Sequence, residues 1–290
     1  MKDFAGKTAV ITGAGSGFGR EFARIGAGLG MKLVLADIQQ DALDAVAAAL
    51  RDGGAEVLAL RTDVSKAADM EALAAAAFEK FGNVHLLFNN AGVGTGGFIW
   101  ESSLADWEWV LGVNVWSIIH GVRLFVPKML EQGDECHVVN TASVAGLLSA
   151  QLMGVYNVSK HAVVTFSETL YQDLRVAKAN IGVTVLCPAF VPTGIANSER
   201  NRPAELGAGE LTASQKIAAG ATVKAVSSGR ITAADVAEQV FDCIREKKFY
   251  CITHPKILGS VELRLQDIVA QRNPSDPFSY KPAAAPAVVG

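Results

Sequence analysis

The sequence predicts an α/β protein built on a doubly wound parallel sheet, and two patterns carry that expectation. Strand-length apolar runs alternate with helix-length segments through most of the 290 residues, and such alternation implies right-handed crossovers between parallel strands. The first run, residues 8–12, ends in a glycine-rich turn, T-G-A-G-S-G-F-G over residues 12–19, that opens a helix-compatible segment. A strand that meets a helix N-terminus through glycines can receive a phosphate, because backbone N–H groups point outward and the helix dipole favours an anion. The turn does not fit G-x-G-x-x-G, since the sixth position is Phe18 counted from Gly13 and Arg20 counted from Gly15. It fits T-G-x-x-x-G-x-G, with Thr12, Gly13, Gly17 and Gly19.

Taken in order, the strand-like runs are 8–12, 32–36, 56–60, 84–89, 136–141, 181–186 and 249–252. Each is apolar almost throughout, as a strand covered on both faces should be. Helix-length segments lie between them at 17–29, 40–51, 66–81, 104–130 and 155–177. Asp41 and Ser65 suit helix N-termini, and Gly30, Gly53 and Gly82 follow helix ends. Residues 1–265 read as one domain. Within it, 192–226 is a long insertion rich in Ala, Gly and Ser, which reads as a substrate lid. Its charges, Glu199, Arg200, Arg202 and Glu205, are expected on its outside. The tail, 266–290, becomes Pro- and Ala-rich from Asn273 and reads as extended or disordered.

Composition excludes several classes. Half of the residues are hydrophobic, so a large core is available. A formal net charge of −3 with unclustered Lys and Arg leaves no electrostatic footprint for nucleic acid. The first strand begins almost at once, so no signal peptide is expected. Uncharged stretches at 84–100, 136–159 and 181–198 are interrupted by Gly, Asn, Ser or Pro. They suit buried strands entering neutral loops better than membrane spans. Four cysteines without C-x-x-C spacing point to a reducing, cytoplasmic setting. Five histidines without cluster spacing predict no metal site.

Polar residues gather at strand ends, where α/β sheets bind ligands. Asp37 follows the second strand, 18 positions after Gly19. There a carboxylate can hydrogen-bond adenosine ribose hydroxyls and repel a 2′-phosphate. Neither Ser16 nor Ile38 supplies a compensating cation, so NAD is expected over NADP. Asp63 and Val64 close the third strand, and Asn90, Ala91 and Gly92 close the fourth. Ser143 stands just past the fifth. Tyr156 and Lys160, four apart on the next helix, share a face. A free phenol titrates near 10. A cation one turn away is expected to lower that value and make Tyr156 a usable acid/base, while Ser143 holds the substrate oxygen.

These residues, T-G-A-G-S-G-F-G, N-N-A-G, Asn114, Ser143, Y-N-V-S-K and C-P-A-F-V-P-T, in this order and spacing, resemble the short-chain dehydrogenase/reductase family over about residues 5–255. The resemblance implies a single Rossmann domain with a seven-stranded sheet in the order 3-2-1-4-5-6-7. It implies that Tyr156 is the general acid/base, and that Lys160 tunes it and binds the nicotinamide ribose. It implies a proton relay through water at Asn114. Gly13, Ser16, Gly17, Phe18, Gly19, Asp37 and Ile38 would hold the adenosine and pyrophosphate, with Asp63, Val64, Asn90, Ala91 and Gly92. Pro188, Val191 and Thr193 would hold the carboxamide. Two residues depart from the pattern: Ala189 replaces the glycine usual after Pro188, and Phe18 replaces a smaller aliphatic residue.

Loops expected over the nicotinamide supply Phe98, Leu147, Leu152, Met153, Phe190 and Ile195, with no Lys or Arg in 93–100, 144–155 or 190–198. An apolar, aromatic or bulky secondary alcohol or ketone is expected, without an anchor for phosphate or carboxylate. The chain is also similar to the branch that oxidises benzylic hydroxyls of lignin-derived aryl ethers. A homodimer or homotetramer is expected. The alternatives are a non-catalytic NAD-binding sensor or scaffold, and a lyase or epimerase that uses bound NAD transiently.

Overall fold

The computed structural model describes residues 1–207 and 209–280. Seven strands pair in parallel in the order β3-β2-β1-β4-β5-β6-β7. They are β1 (Thr8–Thr12), β2 (Lys32–Asp37), β3 (Val57–Arg61), β4 (Leu86–Asn89), β5 (Cys136–Thr141), β6 (Ile181–Cys187) and β7 (Tyr250–Ile252). The nine helices among the described residues are α1 (Gly17–Gly28), α2 (Gln40–Asp52), α3 (Ala67–Phe81), α4 (Leu104–Leu111), α5 (Ser117–Gln132), α6 (Gly154–Val176), α7 (Ala213–Ser227), α8 (Ala233–Glu246) and α9 (Leu258–Val269).

Side-chain alternation along the strands creates two cores. Ile11, Leu33, Leu35 and Phe88 face α1, α2 and α8, where Phe88 stacks on Phe22 at 4.8 Å and meets Phe241 at 5.8 Å. Val10, Val34, Leu87 and Val138 face the other way, onto Leu73, Phe125 and Leu174 of α3, α5 and α6. Both faces of the central strands are covered, which is why their sequences show no polar alternation. From β1 the chain winds one way to β2 and β3, then returns to β4 on the other side. The resulting crevice opens above the carboxyl ends of β1 and β4.

The structure changes several local expectations. Asp41 lies inside the first turn of α2, which starts after Gln39. Lys66, not Ser65, precedes α3; the Ser65 N–H and hydroxyl both bond the Asp63 carboxylate, so the serine closes a turn instead. The segment 104–130 is not one helix. A π turn at Gly112–Trp116 separates α4 from α5, because its polar centre Asn114 bonds outside the helix. The whole run Leu104–Gln132 is long and apolar enough to cross a membrane, yet half of its most apolar stretch is buried in this protein. The insertion 192–226 contains a 3-10 segment at Gly194–Asn201 and nearly all of α7, which is closed by a reciprocal Thr212–Gln215 capping box. Of the tail, the part to Tyr280 turns back on α9, with the Ser275 N–H donating to Asp267 at 2.9 Å. Residues 281–290 lie outside the described residues.

Candidate active site

The glycine turn places backbone where side chains would not fit. Gly13 has φ +66°, and a Cβ there would meet the Ala91 α-carbon at 2.9 Å. At Gly19 a Cβ would lie 2.1 Å from the Gly13 carbonyl oxygen, so only glycine lets α1 start this close to β1. Ser16 caps α1 with no side-chain bond, which leaves the first-turn N–H groups and its hydroxyl toward the cleft. Asp37, at the end of β2, accepts from the Gly15 N–H at 2.8 Å and the Gln39 N–H at 2.9 Å. Asn90 braces the crevice: its amide donates to the Thr12 carbonyl at 2.9 Å, and its N–H donates to the Thr12 hydroxyl at 2.9 Å. Thr193 approaches the turn from the far wall, 3.5 Å from where a Gly17 Cβ would lie.

Ser143, Tyr156 and Lys160 converge at the floor of the same cavity, whose volume is about 520 Å³. Lys160 is buried and donates to the Thr141 carbonyl at 2.9 Å, with its ammonium 5.7 Å from the Tyr156 ring centre. Burial lowers the Lys160 amine to about 8. Tyr156 faces the cavity, but the surrounding protein still pushes its phenol above the ordinary value, with a hydrogen bond from Ser143 pulling the other way. This is the opposite of the sign expected from a cation one helical turn away. In this structure desolvation of the buried phenol is the larger effect, and the Lys160 ammonium, 5.7 Å over the ring centre, does not reverse it. Burial also pushes the Cys187 thiol beside them up to about 12.

Asn114 is fully buried and does not line the cavity. Its Oδ1 accepts from the Val93 N–H at 2.9 Å, and its Nδ2 donates to the Val93 carbonyl at 2.9 Å and the Ser159 hydroxyl at 3.0 Å. It reaches the site through Gly92, where a Cβ would lie 3.5 Å from both Asn114 Oδ1 and Lys160 Nζ. Gly19 also stays outside the cavity, acting through packing. The other cofactor and catalytic residues expected do line it: Gly13, Ser16, Gly17, Phe18, Asp37, Ile38, Asp63, Val64, Asn90, Ala91, Gly92, Pro188, Val191 and Thr193, with Ser143, Tyr156 and Lys160. Of the apolar loop residues expected there, Met153, Phe190 and Ile195 line it and Phe98, Leu147 and Leu152 do not.

The mouth holds groups that the sequence did not reveal. Arg200 and Arg202, expected outside, both line the cavity. The Arg202 guanidinium lies 4.3 Å over the Trp109 ring, pairs with Asp106 at 2.5 Å and with Glu199 at 2.8 Å, and has only 7% of its side chain exposed. Two carboxylates satisfy that cation, so it offers no open anchor to an anionic substrate. Arg200 donates to the Gly194 and Asn197 carbonyls within its own turn. A second tie joins Glu101 to the start of α7, through the Thr212 hydroxyl at 2.5 Å and the Ser214 hydroxyl at 2.6 Å. The Ser214 hydroxyl oxygen also accepts from the Phe98 N–H at 2.9 Å. Among the described residues no group of three or more His, Cys, Asp or Glu could hold a metal ion.

Comparison with known proteins gives concordant matches. A family model described as short chain dehydrogenase matches residues 7–204. A CLA biosynthesis dehydrogenase/reductase of Lactiplantibacillus plantarum is 36% identical over 277 residues, covering 94% of this chain and 97% of that protein. A C alpha-dehydrogenase of Sphingobium sp. strain SYK-6 is 32% identical over 283 residues, covering 96% and 90%. A crystal structure of a short chain dehydrogenase/reductase from Burkholderia phymatum in complex with NAD superposes with a TM-score of 0.95. It is 59% identical and covers 97% of this chain and all of that one.

Proposed function

Since the chain belongs to the short-chain dehydrogenase/reductase family, we propose that it interconverts an apolar, aromatic or bulky secondary alcohol and its ketone. Its cofactor is NAD. One observation carries the reading: the Ser143–Tyr156–Lys160 set and the glycine turn with Asp37 lie in a single cavity. The residues fit the cofactor. The uncapped first turn of α1 and the Ser16 hydroxyl suit the pyrophosphate, Asp37 suits the adenosine ribose, and Pro188, Val191 and Thr193 suit the carboxamide. Asp63, Val64 and Asn90–Gly92 flank the adenosine. When bound, NAD supplies the hydride acceptor, or as NADH the donor, at its nicotinamide C4.

The chain's own groups handle the proton. Ser143 holds the substrate oxygen beside the Tyr156 phenol. In the reductive direction Tyr156 gives its proton to the forming alkoxide, and in the oxidative direction it takes the hydroxyl proton. Burial raises the phenol value, so oxidation, which needs Tyr156 to accept a proton, should accelerate as pH rises. Lys160 offsets the phenolate charge and holds the ribose, and Asn114, fixed behind Gly92, is the far end of a relay through water. Residues 192–226 act as a lid, clamped by Arg202 and Glu101.

The substrate class rests on the neutral walls around Tyr156, from Leu148, Met153, Phe190 and Ile195, and on the names of the two relatives, each a dehydrogenase. We also place the protein in the cytoplasm, in line with four free, buried thiols. Assembly as a homodimer or homotetramer accords with exposed Trp116 in the π turn and Leu130 on α5. The test is a panel of aryl and aliphatic secondary alcohols, followed by reduction of NAD or NADP. Turnover with NAD on the larger apolar members is expected. A clear NADP preference would contradict the role given to Asp37, and no reduction with any member would contradict the reaction.

A further inference from the structure

The cavity that holds Tyr156 is not closed by the sheet, lid and loops alone: Pro277 and Phe278, from the chain's C-terminal stretch, also line it, together with Ile257 and Val226. We infer that residues 273–280 form a strap that completes the outer wall of the substrate cleft, with Phe278 as the side chain that selects bulky apolar substrates. This inference rests on the reading that the cleft takes an alcohol or ketone.

Two contacts hold the strap to α9, and a turn of its own shapes it between them. Asp267 on α9 is 4% exposed; its carboxylate accepts from the Ser275 N–H at 2.9 Å and pairs with Arg272 at 2.9 Å. Asp276 then organises a tight turn, accepting from the Phe278 N–H at its carboxylate (3.0 Å) and from the Ser279 N–H and hydroxyl at its carbonyl (3.0 and 2.7 Å). Beyond the turn, Tyr280 seats against Gly259 of α9, where a Cβ would lie 2.2–2.7 Å from ring and hydroxyl atoms. A Cβ there would displace the ring from its seat. A tail without a role needs neither a buried carboxylate to receive it nor a notch in the helix beneath it.

The strap presents Phe278 with 60% of the residue exposed, at the rim of an apolar cleft. That exposed ring gains burial only against a ligand large enough to reach it. A ligand that ends near Tyr156 gains nothing from it. The strap therefore acts on the difference between large and small substrates, which sets specificity.

The experiment measures dissociation constants of acetophenone and 4-phenylacetophenone by calorimetry on the full chain saturated with NADH. It compares wild type, Phe278→Ala and Gly259→Ala. The last change suits a helix better than glycine while expelling Tyr280, so it tests the strap without emptying the cleft. Wild type should prefer the larger ketone, and both variants should reduce that preference by about tenfold with NADH affinity within twofold of wild type. A wild type without the preference, an unchanged ratio in both variants, or equal losses for both ketones and NADH would overturn the inference. Turnover of the matching alcohols is read separately. If ketones bind but no alcohol is oxidised, the proposed reaction fails while the binding ratios still decide the role of the strap.

Discussion

Around the glycine turn the cleft is shaped by backbone; across from it, the mouth is shaped by side chains. Gly13 touches Ala91, and Gly19 lies against the Gly13 carbonyl. Asn90 bonds the Thr12 backbone, a contact fixed once β1 and β4 pair. The mouth has no sheet beneath it. Arg202 reaches Asp106 across 96 residues, Thr212 and Ser214 reach Glu101 across more than 110, and the Ser198 hydroxyl receives the Gly94 N–H. One wall is a consequence of the fold, while the other is assembled from long-range polar pairs and can be released without unfolding the sheet.

The largest effect of breaking this contrast should come from the backbone wall. Gly19→Ala drives a methyl into the Gly13 carbonyl and should abolish measurable NAD binding by calorimetry, with turnover lost in step. Because nothing soft lies at that contact, the loss should not be rescued at high NAD concentration.

Breaking the side-chain wall should act on substrate instead. Arg202→Ala leaves the Asp106 carboxylate, 11% exposed at its side chain, without its cation. Removing one partner of a fully buried pair costs about 3–5 kcal/mol; this pair, at the edge of the cleft, should lose about half of that. Steady-state kinetics should show KM for the alcohol rising about tenfold or more, while the NAD dissociation constant stays within about threefold. Equal losses for both ligands would show that the two walls are not separable.

A smaller effect sharpens the floor that both walls share. Lys160 carries a buried charge with its amine lowered to about 8 from an ordinary 10.5. A base lowered on folding opposes stability fully below pH 8, and the opposition fades as pH rises from 8 to 10.5. Lys160→Met should remove a penalty on the order of 3 kcal/mol and leave the Thr141 carbonyl unpaired at about 1 kcal/mol. Differential scanning calorimetry at pH 7 should show a Tm about 4 °C higher in an inactive protein, with the gain shrinking above pH 8.

The same contrast explains what the sequence disclosed. The full strand order came from the resemblance to the family, whereas the parallel α/β class, the glycine turn and the Tyr156–Lys160 pair were legible because each is a demand of local backbone geometry or of fixed helical spacing. Arg202, Asp106 and Glu101 were not, since nothing in the local pattern near any of them names a partner so far away. Asp41 and Ser65 look like caps in sequence, and only the structure shows Ser65 turned to Asp63. The direction of the Tyr156 shift was also hidden: spacing reveals a cation one turn away but not how deeply both groups are buried.

The central claim is that Tyr156 moves the proton in an NAD-linked alcohol oxidation. It is tested most directly by comparing Tyr156→Phe with wild type in NADH formation from a secondary alcohol, with NAD binding measured on the same samples. The account predicts a loss of at least about a thousandfold in kcat, with the NAD dissociation constant within about twofold. A variant that binds NAD normally and retains near-wild-type turnover would contradict it.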